Sequence, residues 1–232
     1  MEFWLASYPR SGNSYLRIMI QTRYGIPSID QECPSKFEIK PLQVTRSSGS
    51  DHNIPTLGLL GIKTHKLPEP HDTRPAVYIH RDGRDSLVSY AHFALSFVYK
   101  NVTDMVTPEI LRNTISDLIL EPNSPYRTWS QNVEAWIARP NTHIVRFEEL
   151  TTNPASTVDR AVRSLKLELP IVDEKLKTFA ELHAGKPQDF RSGKRGQWQD
   201  LFTPELNELF WKHNGATMKR LGYGEAPKTK AA

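Results

Sequence analysis

"FWLASYPRSGNSYLRIMI", residues 3–20, changes character twice. It opens on an apolar run, Phe3 to Ala6, and passes through a polar turn. It closes on Leu16, Ile18, Met19 and Ile20, at helical spacing. An apolar run, a tight polar turn and a helix make the strand–loop–helix unit of α/β proteins. Such a turn collects backbone N–H groups and the positive end of the helix dipole at one spot, which is where these proteins hold phosphate. The nucleotide-binding P-loop does so with G-x-x-x-x-G-K-[ST]. Here Gly12 stands alone behind Arg10 and Ser11. The loop is P-loop-like in position, and its anion is left open.

Working outward, the first strand spans roughly Phe3 to Ser7, and its helix runs from about Ser14 to Gly25, with Pro27 just beyond. "LGLLGIKTH" (57–65), "AVYIH" (76–80) and "HIVRF" (143–147) read as further strands. "RDGRDSLVSYAHFALSFV" turns helical after the third strand, and Pro108 opens another helix. The stretch from Tyr126 to Ala138 is amphipathic, and helices are expected at about Pro154–Leu165, Asp173–Leu182 and Thr203–Leu221. Residues 26–56, rich in proline, serine and glycine, read as a long loop with short pieces of structure. Alternating strands and helices predict an α/β fold: a single domain whose mainly parallel sheet is flanked by helices, with ligands at the carboxyl ends of the strands.

Composition bounds this reading. The 232 residues suffice for one well-buried domain, taken as residues 1–224, with 225–232 as a polar tail. Cys33 is the sole cysteine, which excludes an intrachain disulfide and a cysteine-based metal cluster. No apolar run approaches the ~18–20 residues of a membrane span, so no membrane partner and a cytoplasmic location are expected. The net charge of +4 favours an acidic ligand.

The strand ends say more. The first delivers Arg10, Ser11 and Gly12; the second delivers Lys63, Thr64 and His65; the third delivers Arg81 and, along the next helix, Ser89. Downstream, "FRSGKRGQW" (190–198) sets further cations around two glycines. These positive groups gather at one sheet edge with no matching acidic cluster, so the ligand is expected to be a multiply charged anion. In an extended segment Lys63 and His65 share one face.

At these positions the chain resembles the cytosolic-type sulfotransferases, which move a sulfuryl group from 3′-phosphoadenosine 5′-phosphosulfate (PAPS) to a hydroxyl or amine. Their first turn, Y-P-K-S-G-T-T-W, resembles Tyr8-Pro9-Arg10-Ser11-Gly12-Asn13-Ser14-Tyr15. Their K-T-H matches Lys63-Thr64-His65, and their R-N-x-x-D-x-x-V-S-Y-x-H-F resembles Arg81 to Phe93. Their R-K-G-x-x-G-x-W-x-x-x-F-T resembles Arg191 to Thr203, and their Y-E-D-x-x-x-x-P resembles Phe147 to Pro154. The blocks run in family order across the chain.

The resemblance implies roles. Arg10, Ser11, Gly12, Asn13 and Ser14 would hold the 5′-phosphosulfate. Arg81, Ser89, Arg191, Ser192 and Gly193 would hold the 3′-phosphate, and Tyr15 and Phe179 would sandwich the adenine beside Phe147. His65 would be the general base, with Lys63 and Arg10 as catalytic cations. PAPS would be the donor and PAP (the desulfated nucleotide) the product, with no metal. The acceptor would be a small molecule or glycan, in a pocket lined from residues 26–56 and 92–100. Departures from the family pattern include Arg10 for lysine, Tyr15 for tryptophan, Phe147 for tyrosine and Ser192 for lysine. Two other functions set the comparison. A metal-dependent nucleotide kinase or NTPase would use Asp82 as a magnesium ligand, but the G-K-[ST] end it needs is absent. A noncatalytic nucleic-acid-binding module would need cations along a groove rather than at one edge, so no specific nucleic acid is expected. His92 and Phe93 read as packing residues, and Trp129, Trp136 and Trp211 as core.

Overall fold

A computed structural model describes residues 1–32, 58–99, 106–120, 124–173, 175–185, 193 and 195–224. Arg191, Ser192, Cys33, the tail at 225–232 and most of the 26–56 loop lie outside the described residues.

At the centre is β1 (Glu2–Ala6), which pairs in parallel with β3 (Leu60–Thr64) on one side and β4 (Ala76–His80) on the other. The outer strands are β2 (Ser28–Asp30), beside β3, and β5 (Thr142–Arg146), beside β4. The five-stranded order is β2-β3-β1-β4-β5, with each described pairing parallel. Parallel neighbours need crossovers that cover both faces, and alternate side chains of each strand divide between them.

Trp4, Ala6, Ile62 and Tyr78 face one helical layer, where α2 (Gly83–Val98), α3 (Pro108–Leu120), α4 (Trp129–Ala138) and α8 (Pro204–Arg220) contribute Leu87, Ile115, Trp129, Trp136 and Phe210. Phe3, Leu5, Val77 and Ile79 face the other. There α1 (Asn13–Tyr24) and α6 (Pro154–Ser164) contribute Leu16, Met19, Ile20, Val158 and Val162. The short α5 (Phe147–Thr152) and α7 (Phe179–Gly185) close the sheet's carboxyl edge. Trp129 and Trp136 are core as expected, and Trp211 packs against that core.

Three boundaries differ from expectation for local reasons. β2 lies inside the stretch read as loop, because three residues, two of them polar, carry no alternation. The expected helix at Asp173–Leu182 begins only at Phe179. Thr178 and Glu181 form a reciprocal cap there: Thr178 N donates to Glu181 Oε2 (2.7 Å), and Glu181 N donates to Thr178 Oγ1 (3.2 Å). Phe147, read as a strand end, is the first residue of α5.

Candidate active site

Register places the site. Ala6 lies opposite both Thr64 and Tyr78, and Asp30 lies opposite Lys63. The carboxyl ends of β2, β3, β1 and β4 therefore open side by side into one cleft. Its walls include Arg10, Gly12, Asn13, Ser14, Tyr15, Lys63, His65, Arg81, Ser89, Phe147, Phe179 and Gly193. Residues as far apart in sequence as Arg10 and Gly193 thus line one cleft.

The loop after β1 is shaped by two left-handed residues, Arg10 (φ 64) and Gly12 (φ 100). For an arginine this conformation is costly and persists only where the surroundings fix it. Here Arg10 Nε donates to Ser89 Oγ (3.3 Å), and its guanidinium lies 4.8 Å from the centre of the Phe93 ring. Gly12 is the N-cap of α1 and brings no side-chain cap. The first-turn N–H groups of α1 are thus left to an anion in the loop. Ser11 is placed differently from expectation. It is fully buried, its N–H donates to Tyr8 O, and its Oγ meets Ser86 Oγ at 3.3 Å, so it braces the loop from behind. Asn13 is a second brace, since its Nδ2 donates to Leu5 O (2.8 Å) and to Ser7 Oγ (3.2 Å).

His65 follows β3 directly. Its Nδ1 lies 2.8 Å from Ser7 O, a carbonyl that can only accept, so Nδ1 carries the proton and Nε2 keeps its lone pair. The ring sits edge-on to Tyr126 (5.7 Å), and the backbone carbonyl of His65 is held by Asn132 Nδ2 (2.8 Å). Burial, then the neighbouring Lys63 and Arg10 charges, push the imidazole pKa down to about 3. Near neutral pH it is an unprotonated base.

Beside it, Lys63 Nζ donates to Asp30 Oδ2 (2.6 Å) and lies 3.8 Å from Glu32 Oε2. Both acids line the cleft. This corrects the expectation that no acidic groups match the cations: Asp30 and Glu32 reach the cleft through β2, a three-residue strand whose sequence carries no alternation. The two carboxyls interact, holding Asp30 below the usual carboxylate range, whereas burial and then Asp30 raise Glu32.

At the far end, Arg81 is buried, 3.7 Å from Asp85 and 4.8 Å from the centre of the Phe147 ring. Burial lowers its pKa, opposed first by Asp85. Asp85 also accepts from Gly196 N (2.9 Å) and Trp198 N (3.3 Å), tying the downstream glycine segment to α2. Tyr15 and Phe179 do not stand as parallel plates here: their rings meet edge to face at 5.4 Å, and Phe179 meets Phe147 likewise at 5.9 Å.

Asp82 is accounted for within the fold. It caps α2 through Arg84 N (2.9 Å) and pairs with Arg84 Nη2 (2.7 Å). Phe93, read individually as packing but lying in the 92–100 stretch expected along the acceptor pocket, lines the cleft with Tyr90 and Tyr126. No helix of the described residues is long and apolar enough to cross a membrane.

Comparison with known proteins gives the same picture from outside. A family profile described as "Sulfotransferase domain" matches residues 1–222. "Cytosolic sulfotransferase 1" of Danio rerio is 24% identical over 250 residues, covering 90% of this chain and 80% of its own. "Sulfotransferase 1B1" of Mus musculus is 25% identical over 247 residues, covering 89% and 79%. Among solved structures, mouse sulfotransferase SULT7A1 complexed with PAP shares the fold at a TM-score of 0.64. It is 18% identical and covers 94% of this chain and 88% of its own.

Proposed function

The chain belongs to the PAPS-dependent sulfotransferase family, and from that premise we propose how this cleft carries out sulfuryl transfer to a small-molecule acceptor. The observation that carries the reading is the convergence of Arg10, Lys63, His65 and Arg81 on one cleft at the carboxyl edge of the sheet. Cations at one end and the aromatic group of Tyr15, Phe147 and Phe179 beside them fit a purine nucleotide with phosphate on both sides of its ribose. PAPS supplies an activated sulfuryl group on a phosphate that can leave.

The chain's own residues do the rest. The α1 N-terminus, Arg10, Asn13 and Ser14 receive the 5′ end, with Ser11 fixing the loop behind them. Arg81 and Ser89, with Gly193, Arg191 and Ser192 downstream, receive the 3′-phosphate. Lys63 and Arg10 set positive charge where negative charge grows on the leaving oxygen. His65 Nε2 accepts the acceptor's proton, with Nδ1–H anchored on Ser7 O to fix the tautomer. Tyr90, Phe93 and Tyr126 give the acceptor end apolar walls. Transfer of this kind calls for in-line positioning and charge stabilisation rather than a covalent enzyme intermediate.

Nucleotide selectivity tests the assignment of the two phosphate sites. Hydrogen bonds to charged groups contribute about 1.5–3 kcal/mol each, so loss of the 3′-phosphate weakens binding at least about tenfold. PAP is expected to raise the melting temperature clearly and 5′-AMP to raise it little. Equal stabilisation by the two would remove the 3′-phosphate site from Arg81 and the downstream glycine segment.

A further inference from the structure

We propose that Asp30 is a positioning residue for Lys63, fixing the ammonium beside His65 at the acceptor end of the cleft. The inference rests on the role given to Lys63 above and extends it to a residue outside the motifs that carry the family resemblance.

Three observations support it. First, the contact is short and enclosed: Lys63 Nζ to Asp30 Oδ2 is 2.6 Å, with the Asp30 side chain 2% and the Lys63 side chain 14% exposed. Second, the backbone gives neither group much freedom. Asp30 and Lys63 are register partners of β2 and β3, Gln31 N donates to Lys63 O (2.9 Å), and Asp30 Oδ1 accepts from Glu32 N (3.0 Å). A long, flexible lysine stem loses rotamer freedom when it is held, and here that ordering is done before any substrate arrives.

Third, Glu32 restrains the carboxylate from the other side. Its Oε1 accepts from His65 N (2.8 Å) and Thr64 Oγ1 (3.1 Å), which leaves its second oxygen toward Asp30 and Lys63. Burial and the neighbouring Asp30 raise Glu32, whereas Glu32 and Lys63 hold Asp30 low, so Asp30 is the more readily ionised of the two carboxyls beside the ammonium. Among the described residues, the other charged or titratable groups that act on the pair include Arg17 of α1, His65 at the end of β3 and Tyr126 before α4. Arg17 is engaged with Ser28, through Nε to Oγ at 2.9 Å and NH2 to the carbonyl at 3.2 Å. Lys63 is bonded directly to Asp30, and a displaced ammonium would miss the reacting oxygen. Misplacement by ~1 Å can cost on the order of 10²-fold in rate.

The test combines a spectroscopic and a kinetic arm on the full chain. In protein carrying ¹⁵Nζ-labelled lysine, the Lys63 ammonium, identified by its loss in Lys63→Ala, is expected to give an exchange-protected signal that disappears in Asp30→Asn. Persistence of that protection in Asp30→Asn overturns the proposal without any reference to activity. In turnover, Asp30→Asn is expected to lower kcat about 10- to 100-fold while PAP binding and the donor KM stay near parental values. In a Lys63→Ala background the same substitution is expected to cost almost nothing more, the sign of two residues acting as one unit. Equal losses in both backgrounds would show that Asp30 acts independently and would overturn the proposal. A Lys63→Ala enzyme with parental turnover would instead overturn the role assigned to Lys63, and is distinguishable because the ammonium signal of protein that keeps Lys63, compared with and without Asp30→Asn, still reports on Asp30. Retention of the PAP-induced rise in melting temperature confirms that each variant folds.

Discussion

Replacing His65 with alanine is expected to lower kcat about 10²- to 10⁴-fold while leaving PAP binding nearly unchanged, because a positioned base contributes in that range and the proposed role sets the imidazole toward the acceptor rather than the nucleotide. The pH profile sharpens this expectation. An unperturbed histidine titrates near ~6.5, and a base held there would lose half its activity at that pH. In this cleft burial and the Lys63 and Arg10 charges push the value down to about 3. The neutral, working form is lost only as pH falls toward that value. In the free enzyme kcat/KM should therefore show no histidine limb between about pH 5 and 8. Lys63→Ala should also lower kcat, by removing charge at the leaving oxygen, without bringing in a limb near 6.5. If His65→Ala turns over like the parent on a true acceptor, the base lies elsewhere. His92, half-buried on α2, is then the next histidine to test.

The second large effect is expected at Gly12. Its φ of 100 lies where side chains are disfavoured, and an added Cβ would sit 2.3 Å from Phe147 Cδ2. Phe147 cannot easily give way: it is 1% exposed and packs against both Arg81 (4.8 Å) and Phe179 (5.9 Å). Overpacking costs about 1–3 kcal/mol and the strained backbone about 1–3 more. Gly12→Ala should therefore lose roughly 2–6 kcal/mol of stability, a fall in Tm on the order of 5–20 °C for a domain of this size. PAP binding should drop with it, since any relief moves Phe147 and with it Arg81. Calorimetry with and without PAP reads both. A variant with the parental Tm and PAP affinity would mean that the loop is far more pliable than its packing implies.

These two residues were legible in the sequence for different reasons. Gly12 sits in a turn between a strand and a helix, where local chemistry demands a glycine. His65 follows an apolar run whose end must lie at the ligand edge of a parallel sheet. β4 was equally plain: "AVYIH" is buried along its whole length, and a strand covered on both faces reads as a continuous apolar run. β2 was not, because Ser28-Ile29-Asp30 is short and two-thirds polar, its polar side chains being satisfied by Arg17 and Lys63 rather than by solvent. Missing that strand meant missing Asp30 and Glu32. A sequence shows charge but not pairing, so Lys63 read as an unopposed cation.

The aromatic wall is only partly legible, since the 92–100 stretch is expected along the acceptor pocket but its individual contacts are not. Phe93 lies on α2 in a segment whose spacing suits core packing, yet it turns into the cleft under Arg10. Tyr126 enters through an irregular segment before α4, where no periodicity operates. Ser11 shows the converse. The motif places it among the anion-binding residues, but the left-handed backbone on either side of it turns its side chain back toward Ser86. The direction of a side chain in a tight loop depends on dihedral angles that residue type alone does not set.

Incubation of the protein with ³⁵S-labelled PAPS and a panel of hydroxyl- and amine-bearing small molecules tests the central claim most directly. Label should pass to at least one acceptor in excess EDTA, with PAP inhibiting competitively against the donor and His65→Ala abolishing most of the transfer. If no acceptor takes up label, while magnesium and γ-labelled ATP give a phosphorylated product, the cleft is not the sulfuryl-transfer site described here.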